Sequence, residues 1–170
     1  MNASPDMNSE TWEQSLKSLL PLLGHRNWIV VADSAYPAQT SLGIKTIATS
    51  ADHLEVLART LRAIAECSHV RAKVYVDAEF KYVIEADAPG VSALWRELDR
   101  LLKNENASEV GHEQLIAKLD ESSRLFQILV LKTTLAIPYS SVFMELDCGY
   151  WSDAAEKRLR QSLANGENGK

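Results

Sequence analysis

The apolar positions of the chain recur with two different periods, which predict alternating helices and strands. The first period is helical, and one face of that helix carries Trp12, Leu16, Leu19, Leu20 and Leu23. Thr11 and Gln14 have the spacing of a capping box at its beginning. Gly24 is expected to end the helix, since glycine accepts a left-handed conformation at little cost.

A continuous apolar run then predicts a strand at Trp28–Ala32. The run is rich in β-branched residues and has no polar alternation, which is typical of a strand that helices cover on both faces of a parallel sheet. Shorter runs of the same kind predict further strands at Ile44–Ala48, Lys73–Val76, Tyr82–Glu85, Phe126–Leu131 and Val142–Leu146.

Helical periods lie between these strands. Ser50 or Asp52 can cap a helix whose apolar stripe is Leu54, Leu57, Leu61 and Ile64. Other helices are predicted at Ser92–Asn104, His112–Ser123 and Ser152–Leu163, and Asn104–Gly111 is expected to be a surface connection. The alternation predicts an α/β fold: a single domain with a mostly parallel sheet flanked by helices. We expect a flexible tail at 1–8, this domain at 9–151, and a C-terminal helix with a disordered tail at 152–170.

Composition narrows the classes of function. The chain has 170 residues and a net charge of -5, and no basic run stands out, so neither nucleic acid nor an anionic membrane is expected as a partner. The polar segment Met1–Glu10 lacks the apolar core of a signal peptide, and no apolar run could span a bilayer. Cys67 and Cys148 are interpreted as buried free thiols of a reduced compartment, so a cytoplasmic location is expected.

Candidate chemistry lies around the first strand. In open α/β sheets, sites form at the carboxyl ends of strands, which favours Asp33 and the Thr133–Tyr139 loop. His25 lies before the same strand, and eight extended residues cover roughly 26 Å. The pair shares a site only if the chain bends or if two subunits contribute.

Each of these residues also has an ordinary structural explanation. His25 could interact with a helix C-terminus, and Asp33 could be a turn former that accepts a hydrogen bond from its own backbone. Tyr139 could pack its ring against the protein and leave its hydroxyl in contact with water. His53 and His69 are expected at the surface or at helix ends, and His112 at an exposed helix start.

Common catalytic motifs are absent from the sequence. There is no glycine-rich phosphate loop, no Gly-x-Ser-x-Gly, no His-Glu-x-x-His and no Cys-x-x-Cys. The histidines and carboxylates do not show metal-ligand spacing, so no metal is expected. Neither cysteine has an adjacent basic group that would activate it as a nucleophile.

The motifs taken together resemble those of the D-ribose pyranase and L-fucose mutarotase family. Gly24-His25, the apolar strand and Asp33-x-x-x-Pro37 are similar to the family's Gly-His, strand and Asp-Ala-x-x-Pro loop. Pro138–Phe143 resembles its late Tyr-x-Asn loop, and Gly111–Gln114 resembles a Thr-His-Glu-Gln stretch whose His contacts sugar.

This sequence also departs from the family pattern. Ser141 stands where the family has Asn, and Lys132–Thr134 replaces a Thr-Gly-Glu-like turn. The spacing between His112 and Val130 is about five residues longer than in the pyranase branch. The chain also continues beyond Trp151.

The resemblance implies an enzyme that interconverts ring forms or anomers of a free monosaccharide without cofactor or metal. His25 would be the general acid/base. Sugar would be bound by Asp33, His112, Tyr139 and Ser141. The family's ring-shaped homodecamers, with sites across subunit boundaries, imply a homo-oligomer here.

Two other functions stay open. The Ser141 and Lys132–Thr134 differences keep open a family member that binds sugar without catalysis. A hydrolase or lyase using His25 and Asp33 would lack an evident nucleophile. The sequence does not specify which sugar is accepted.

Overall fold

The computed structural model describes residues 11–167, with side chains through residue 166. Its helices are α1 (Trp12–Leu19), α2 (His53–Ala65), α3 (Val91–Leu102), α4 (His112–Ser122) and α5 (Asp153–Glu167). Its strands are β1 (Trp28–Ala32), β2 (Ile44–Ala48), β3 (Val70–Asp77), β4 (Ser108–Val110), β5 (Ile128–Lys132) and β6 (Val142–Cys148). Short 3-10 turns span Leu20–Leu22 and Phe80–Tyr82.

The six strands form one sheet in the order β2-β5-β1-β6-β3-β4. Strand β6 is antiparallel to both of its neighbours, and the other strands all point the same way. The predicted single α/β domain with a mostly parallel sheet flanked by helices is confirmed. The direction of β6 matters for the site, because its end meets the beginning of β1.

Strand β1 lies at the centre of the core, and all of its residues are buried. Ile29 and Val31 belong to the larger apolar cluster, which α1, α2 and α3 cover. Trp28 and Val30 face the other side of the sheet and pack in the cluster that contains Leu115 of α4. The uninterrupted apolar run follows from this burial on both faces.

The beginning of α1 is as predicted, but its end is not. Thr11 and Gln14 form the capping box, with both reciprocal hydrogen bonds present. The helix passes into the 3-10 turn before it reaches Gly24, because Pro21 has no amide hydrogen to continue the helical ladder. The left-handed residue of the following turn is Arg26, with φ of 73°. The role expected for Gly24 is therefore wrong.

Two further expectations are corrected between β3 and α4. The segment Tyr82–Glu85 is not a strand, because Glu85 folds back and accepts the amide hydrogens of Gly90 and Ser92 at the beginning of α3. The connection Asn104–Gly111 contains β4, which pairs with the end of β3.

The two cysteines differ from their expected burial. Cys67 and Cys148 are free, and both are partly exposed rather than buried.

The predicted tail at 1–8 and the last three residues lie outside the described part of the chain. None of the helices within residues 11–167 is long and apolar enough to cross a membrane.

Candidate functional site

Polar side chains gather at the edge of the sheet where β1, β3, β4 and β5 end and β6 begins. Asp33 follows β1, Asp77 ends β3, and His112 begins α4 just after β4. Tyr139 and Ser141 precede β6, which enters the sheet from this edge. The parallel strands that end here and the antiparallel β6 that begins here together bring four of the five predicted site residues to one edge.

Asp33 and Ser141 hold each other in place. The Ser141 hydroxyl donates to Asp33 Oδ2 at 3.2 Å and accepts the Asp33 amide hydrogen at 3.4 Å. The other carboxylate oxygen, Oδ1, accepts the amide hydrogen of Ala35 at 2.8 Å. Asp33 is thus a turn former that accepts a hydrogen bond from the nearby backbone, as the structural explanation of this residue predicts. Its carboxylate is partly exposed, and these hydrogen bonds fix its direction.

His112 is oriented by two acidic residues of the neighbouring strand and turn. Its Nδ1 lies 3.0 Å from Oδ1 of Asp77, whose side chain is fully buried, whereas the imidazole is 29% exposed. Its amide hydrogen is shared by both carboxylate oxygens of Glu79, at 3.1 and 3.0 Å. Because Nδ1 faces Asp77, Nε2 is the nitrogen left to face a ligand.

The electrostatics of Asp77 are unusual for a carboxyl group. Burial raises the pKa of Asp77 to about 6, the interaction with His112 opposes that rise, and the charges of Glu79 and Asp33 add to it. Its second oxygen, Oδ2, is buried without a hydrogen-bond partner among the described residues. A buried acid of this kind next to an imidazole is typical of a functional site.

Tyr139 contacts His112 directly. The two rings meet edge to face, with 5.4 Å between their centroids and an interplanar angle of 86°. Tyr139 has φ of 56°, a left-handed backbone that costs a non-glycine residue free energy. The ring is 40% exposed, so it can contact His112 and a ligand at once.

His53 lies at a helix end, which is one of the two positions expected for it, and its side chain is buried. It begins α2 and is 1% exposed, and its Nδ1 lies 3.1 Å from Oγ1 of Thr133. Burial lowers the pKa of His53 to about 4, so its imidazole is neutral at physiological pH. It supports the end of β5 beneath the polar edge.

His25 lies at the opposite edge of the sheet, where β1 begins and β6 ends. Its Nδ1 is 2.9 Å from Oδ1 of Asp147, and its imidazole is 63% exposed. Asp147 also binds Arg71 at 2.8 Å and Lys73 at 3.0 Å. Burial alone would raise the pKa of Asp147, but the hydrogen bonds from Lys73, the Cys148 amide, Arg71 and His25 hold it well below its ordinary value.

This arrangement fixes the tautomer of the neutral His25 imidazole. Because the Asp147 carboxylate is ionised, the hydrogen bond requires Nδ1 to carry a proton. In the neutral imidazole, Nε2 then has a free lone pair, and it makes no hydrogen bond with the described part of the chain. His25 therefore has the form of an oriented general base.

Within residues 11–167, no group of three His, Cys, Asp or Glu side chains could hold a metal ion.

Two carboxylates of the candidate site, those of Asp77 and Asp147, were not identified from the sequence. Asp77 could have been found by the rule that selected Asp33, since it directly follows the predicted strand Lys73–Val76. Nothing in the sequence marks Asp147, because its role depends on β6 running antiparallel to β1.

Comparisons with known proteins identify the family. A model of the RbsD / FucU transport protein family matches residues 8–148, which is most of the chain. The chain belongs to this family. No curated protein matches it in sequence.

Solved structures share the fold at low sequence identity. The structure of Bacillus subtilis RbsD complexed with D-ribose has a TM-score of 0.55 and 18% identity, over 86% of this chain and 98% of that chain. The fucose mutarotase from Streptococcus pneumoniae, in complex with L-fucose, has a TM-score of 0.52 and 16% identity, over 81% of this chain and 93% of that chain. The family match ends at residue 148, so Gly149, Trp151 and α5 lie beyond it.

Proposed function

We propose that this protein interconverts the ring forms or anomers of a free monosaccharide, as a mutarotase or pyranase. Membership of the RbsD / FucU family supports the proposal, as does the likeness in fold to proteins named as complexes with D-ribose and L-fucose. The observation that carries it is the His25–Asp147 pair, which orients an exposed imidazole with Nε2 free.

The proposed reaction needs only proton transfers. His25 Nε2 takes the proton of the anomeric hydroxyl, the C1–O5 bond breaks, and O5 receives a proton to give the open-chain aldehyde. Reversal of these steps on either face of the aldehyde, or at another hydroxyl, gives the other anomer or ring size. No net charge or electron is transferred, so the reaction requires neither cofactor nor metal. Uncatalysed ring opening is not very slow, so a small site suffices.

The sugar would be bound by the residues of the opposite edge. Asp33, with Ser141 behind it, offers a fixed carboxylate to a sugar hydroxyl. His112 and Tyr139 present an oriented imidazole and a half-exposed ring. A protonated His112 is the proposed donor to O5.

The two edges act on one sugar only if two copies of the chain meet. Within one copy, β1 separates His25 from Asp33. We therefore propose a homo-oligomer in which His25 of one copy faces Asp33 and Tyr139 of another. A ring-shaped decamer is the specific form proposed, and the cytoplasm is the proposed location.

A second candidate function is sugar binding without catalysis. Ser141 supports it, because its buried hydroxyl holds Asp33, so the site has one sugar contact fewer than the resemblance to the catalytic family implies.

One experiment separates the two candidates. Anomer exchange of D-ribose, L-fucose, D-galactose and D-glucose is measured by saturation-transfer NMR with the wild type and the variants His25→Ala and His69→Gln. The wild type should accelerate exchange of at least one sugar, and His25→Ala should lose about 10²–10⁴-fold, the usual contribution of general acid–base catalysis. His69, whose Nε2 faces the Leu23 carbonyl instead of a carboxylate, is the matched control and should keep the activity. A sugar that binds without faster exchange would instead support the binding protein.

A further inference from the structure

The segment that follows β6 forms one wall of the cleft containing His25. This cleft has a volume of about 540 Å³, and Lys73, Asp147 and His25 line it on the side of the sheet. Trp151 and Glu156 line the other side. Both of these residues lie beyond the segment that the family model matches.

Two contacts fix this segment against the sheet. Gly149 donates its amide hydrogen to the His69 carbonyl at 2.9 Å. It lies so close to the beginning of β3 that a Cβ atom there would be 2.7 Å from the Ser68 carbonyl oxygen and 2.9 Å from the Val70 nitrogen. Arg71 binds Asp147 and Asp153, each at 2.8 Å. The beginning of α5 is therefore tied to the same carboxylate that orients His25.

The indole of Trp151 is held in a defined position. Its Nε1–H donates to Oε2 of Glu156 at 2.8 Å, and Oε1 of Glu156 accepts from Arg160 at 2.7 Å. The side chain is nevertheless 43% exposed. An aromatic ring that is fixed at its polar end and open to the cleft is suited to contact a ligand through its face.

We propose that Trp151 is a substrate-binding residue that stacks on the apolar C–H face of the sugar and helps to select it. This inference rests on the proposed function of His25. A monosaccharide presents hydroxyls around its rim and C–H groups on its ring face. The cleft offers charged groups for the rim and, in Trp151, an aromatic ring held at its polar end for the face, a combination usual in small-molecule sites. Tyr150 also lines the cleft but is 79% exposed. Part of the substrate preference would thus reside outside the family-matched segment.

The kinetic test compares Trp151→Ala and Trp151→Phe with the wild type by saturation-transfer exchange over a range of sugar concentrations. Loss of an aromatic contact should raise KM about tenfold in Trp151→Ala with little change in kcat, and Trp151→Phe should restore most of the affinity. Trp95→Ala is the matched control, because Trp95 is 48% exposed but lies on α3, outside this cleft. An unchanged KM in Trp151→Ala would overturn the proposal while leaving the mutarotase activity in place.

A binding test separates this proposal from the proposed activity. Intrinsic tryptophan fluorescence is titrated with the same four sugars in the wild type, Trp151→Phe and Trp95→Phe. The expected result is a saturable change that is lost in Trp151→Phe and kept in Trp95→Phe. If this occurs while no sugar exchanges faster than in buffer, the role of Trp151 stands and the mutarotase proposal falls. If no sugar binds and none exchanges faster, both fall.

Discussion

The imidazole of His112 is held by the buried carboxylate of Asp77, with 3.0 Å between Nδ1 and Oδ1. A second pair, His25 and Asp147, repeats this arrangement at the opposite edge of the sheet with 2.9 Å between the same atoms. In both pairs the carboxylate fixes Nδ1 and leaves Nε2 to a ligand. In the proposed ring opening one group accepts a proton and another supplies it, and two oriented imidazoles are suited to these two roles.

Replacement of Asp77 by Asn should change how stability depends on pH. Burial raises the pKa of Asp77 from 3.8 to about 6. Below pH 4 the carboxyl is protonated in both the folded and unfolded chains, and as the pH rises towards 6 the unfolded chain loses its proton first, so the folded state loses stability. Asp77→Asn removes this penalty and keeps an oxygen to accept the His112 hydrogen bond. The free energy of unfolding of Asp77→Asn, relative to that of the wild type, should therefore rise by about 2–3 kcal/mol as the pH is raised from 4 to 7.

Urea unfolding of both proteins across that range measures the difference. A difference in unfolding free energy that stays constant from pH 4 to 7 would show that Asp77 does not have a raised pKa in the folded protein.

Replacement of Asp147 by Asn should have the opposite pH dependence. The depressed pKa of Asp147 means that its carboxylate stabilises the folded state above its ordinary pKa of 3.8, and that this stability is lost as the pH falls. Asp147→Asn should lower the free energy of unfolding by about 1.5–3 kcal/mol at pH 7, the usual range for hydrogen bonds to a charged group. Chemical denaturation at pH 7 and pH 3 should give a smaller deficit at pH 3. An equal deficit at both values would contradict the assignment.

Removal of the Ser141 hydroxyl should weaken sugar binding through Asp33. The side chain is 2% exposed, and its hydroxyl bonds both the amide and the carboxylate of Asp33. Ser141→Ala should raise KM about fivefold, which corresponds to a hydrogen bond of about 1 kcal/mol. Ser140→Ala is the matched control, since that buried hydroxyl donates to the Ile137 carbonyl instead. Equal KM values for the two variants would remove Ser141 from the site.

A methyl group at Gly43 should destabilise the fold. A Cβ atom there would lie 2.0 Å from the Ser123 carbonyl oxygen and 2.9 Å from that of Phe126. Because both atoms belong to the backbone, Gly43→Ala should cost about 3 kcal/mol or more by overpacking. At Gly24 a Cβ atom would meet nothing within 4 Å, so Gly24→Ala should stay within about 0.5 kcal/mol of the wild type. Thermal unfolding of the two variants makes the comparison, and similar melting temperatures would refute it.

Hydrophobic periodicity predicted the helices and strands whose own residues are strongly apolar, and it missed those that form only through pairing with distant segments. The run Trp28–Ala32 is apolar and β-branched throughout, so β1 was predictable to the residue. Strand β4 was missed because Ser108–Val110 is short and largely exposed, and becomes a strand only by pairing with β3. The sequence is compatible with His53 at a helix end but does not indicate whether its side chain is buried. Its burial arises from packing against Thr133, far away in the sequence.

Some residues of the candidate site could be proposed from the sequence, but their partners and the geometry of the site could not. The carboxyl-end rule selects Asp33 from the sequence, and it also fits Asp77. That Asp77 holds His112 depends on the adjacency of β3 and β4. That Asp147 holds His25 depends on the reversed direction of β6. Neither follows from hydrophobic periodicity, because strand order and direction are set by long-range pairing.

The central claim is that His25 of one copy and Asp33 of another act on the same sugar. It is tested most directly by jointly refolding His25→Ala and Asp33→Asn, each of which removes one proposed half of the site, and measuring anomer exchange on the mixture and on each variant alone. If sites lie between copies and the copies mix at random, about a quarter of the sites regain both wild-type residues, and about a quarter of the wild-type exchange rate should return. A mixture that exchanges the sugar no faster than the average of its two components would contradict the claim.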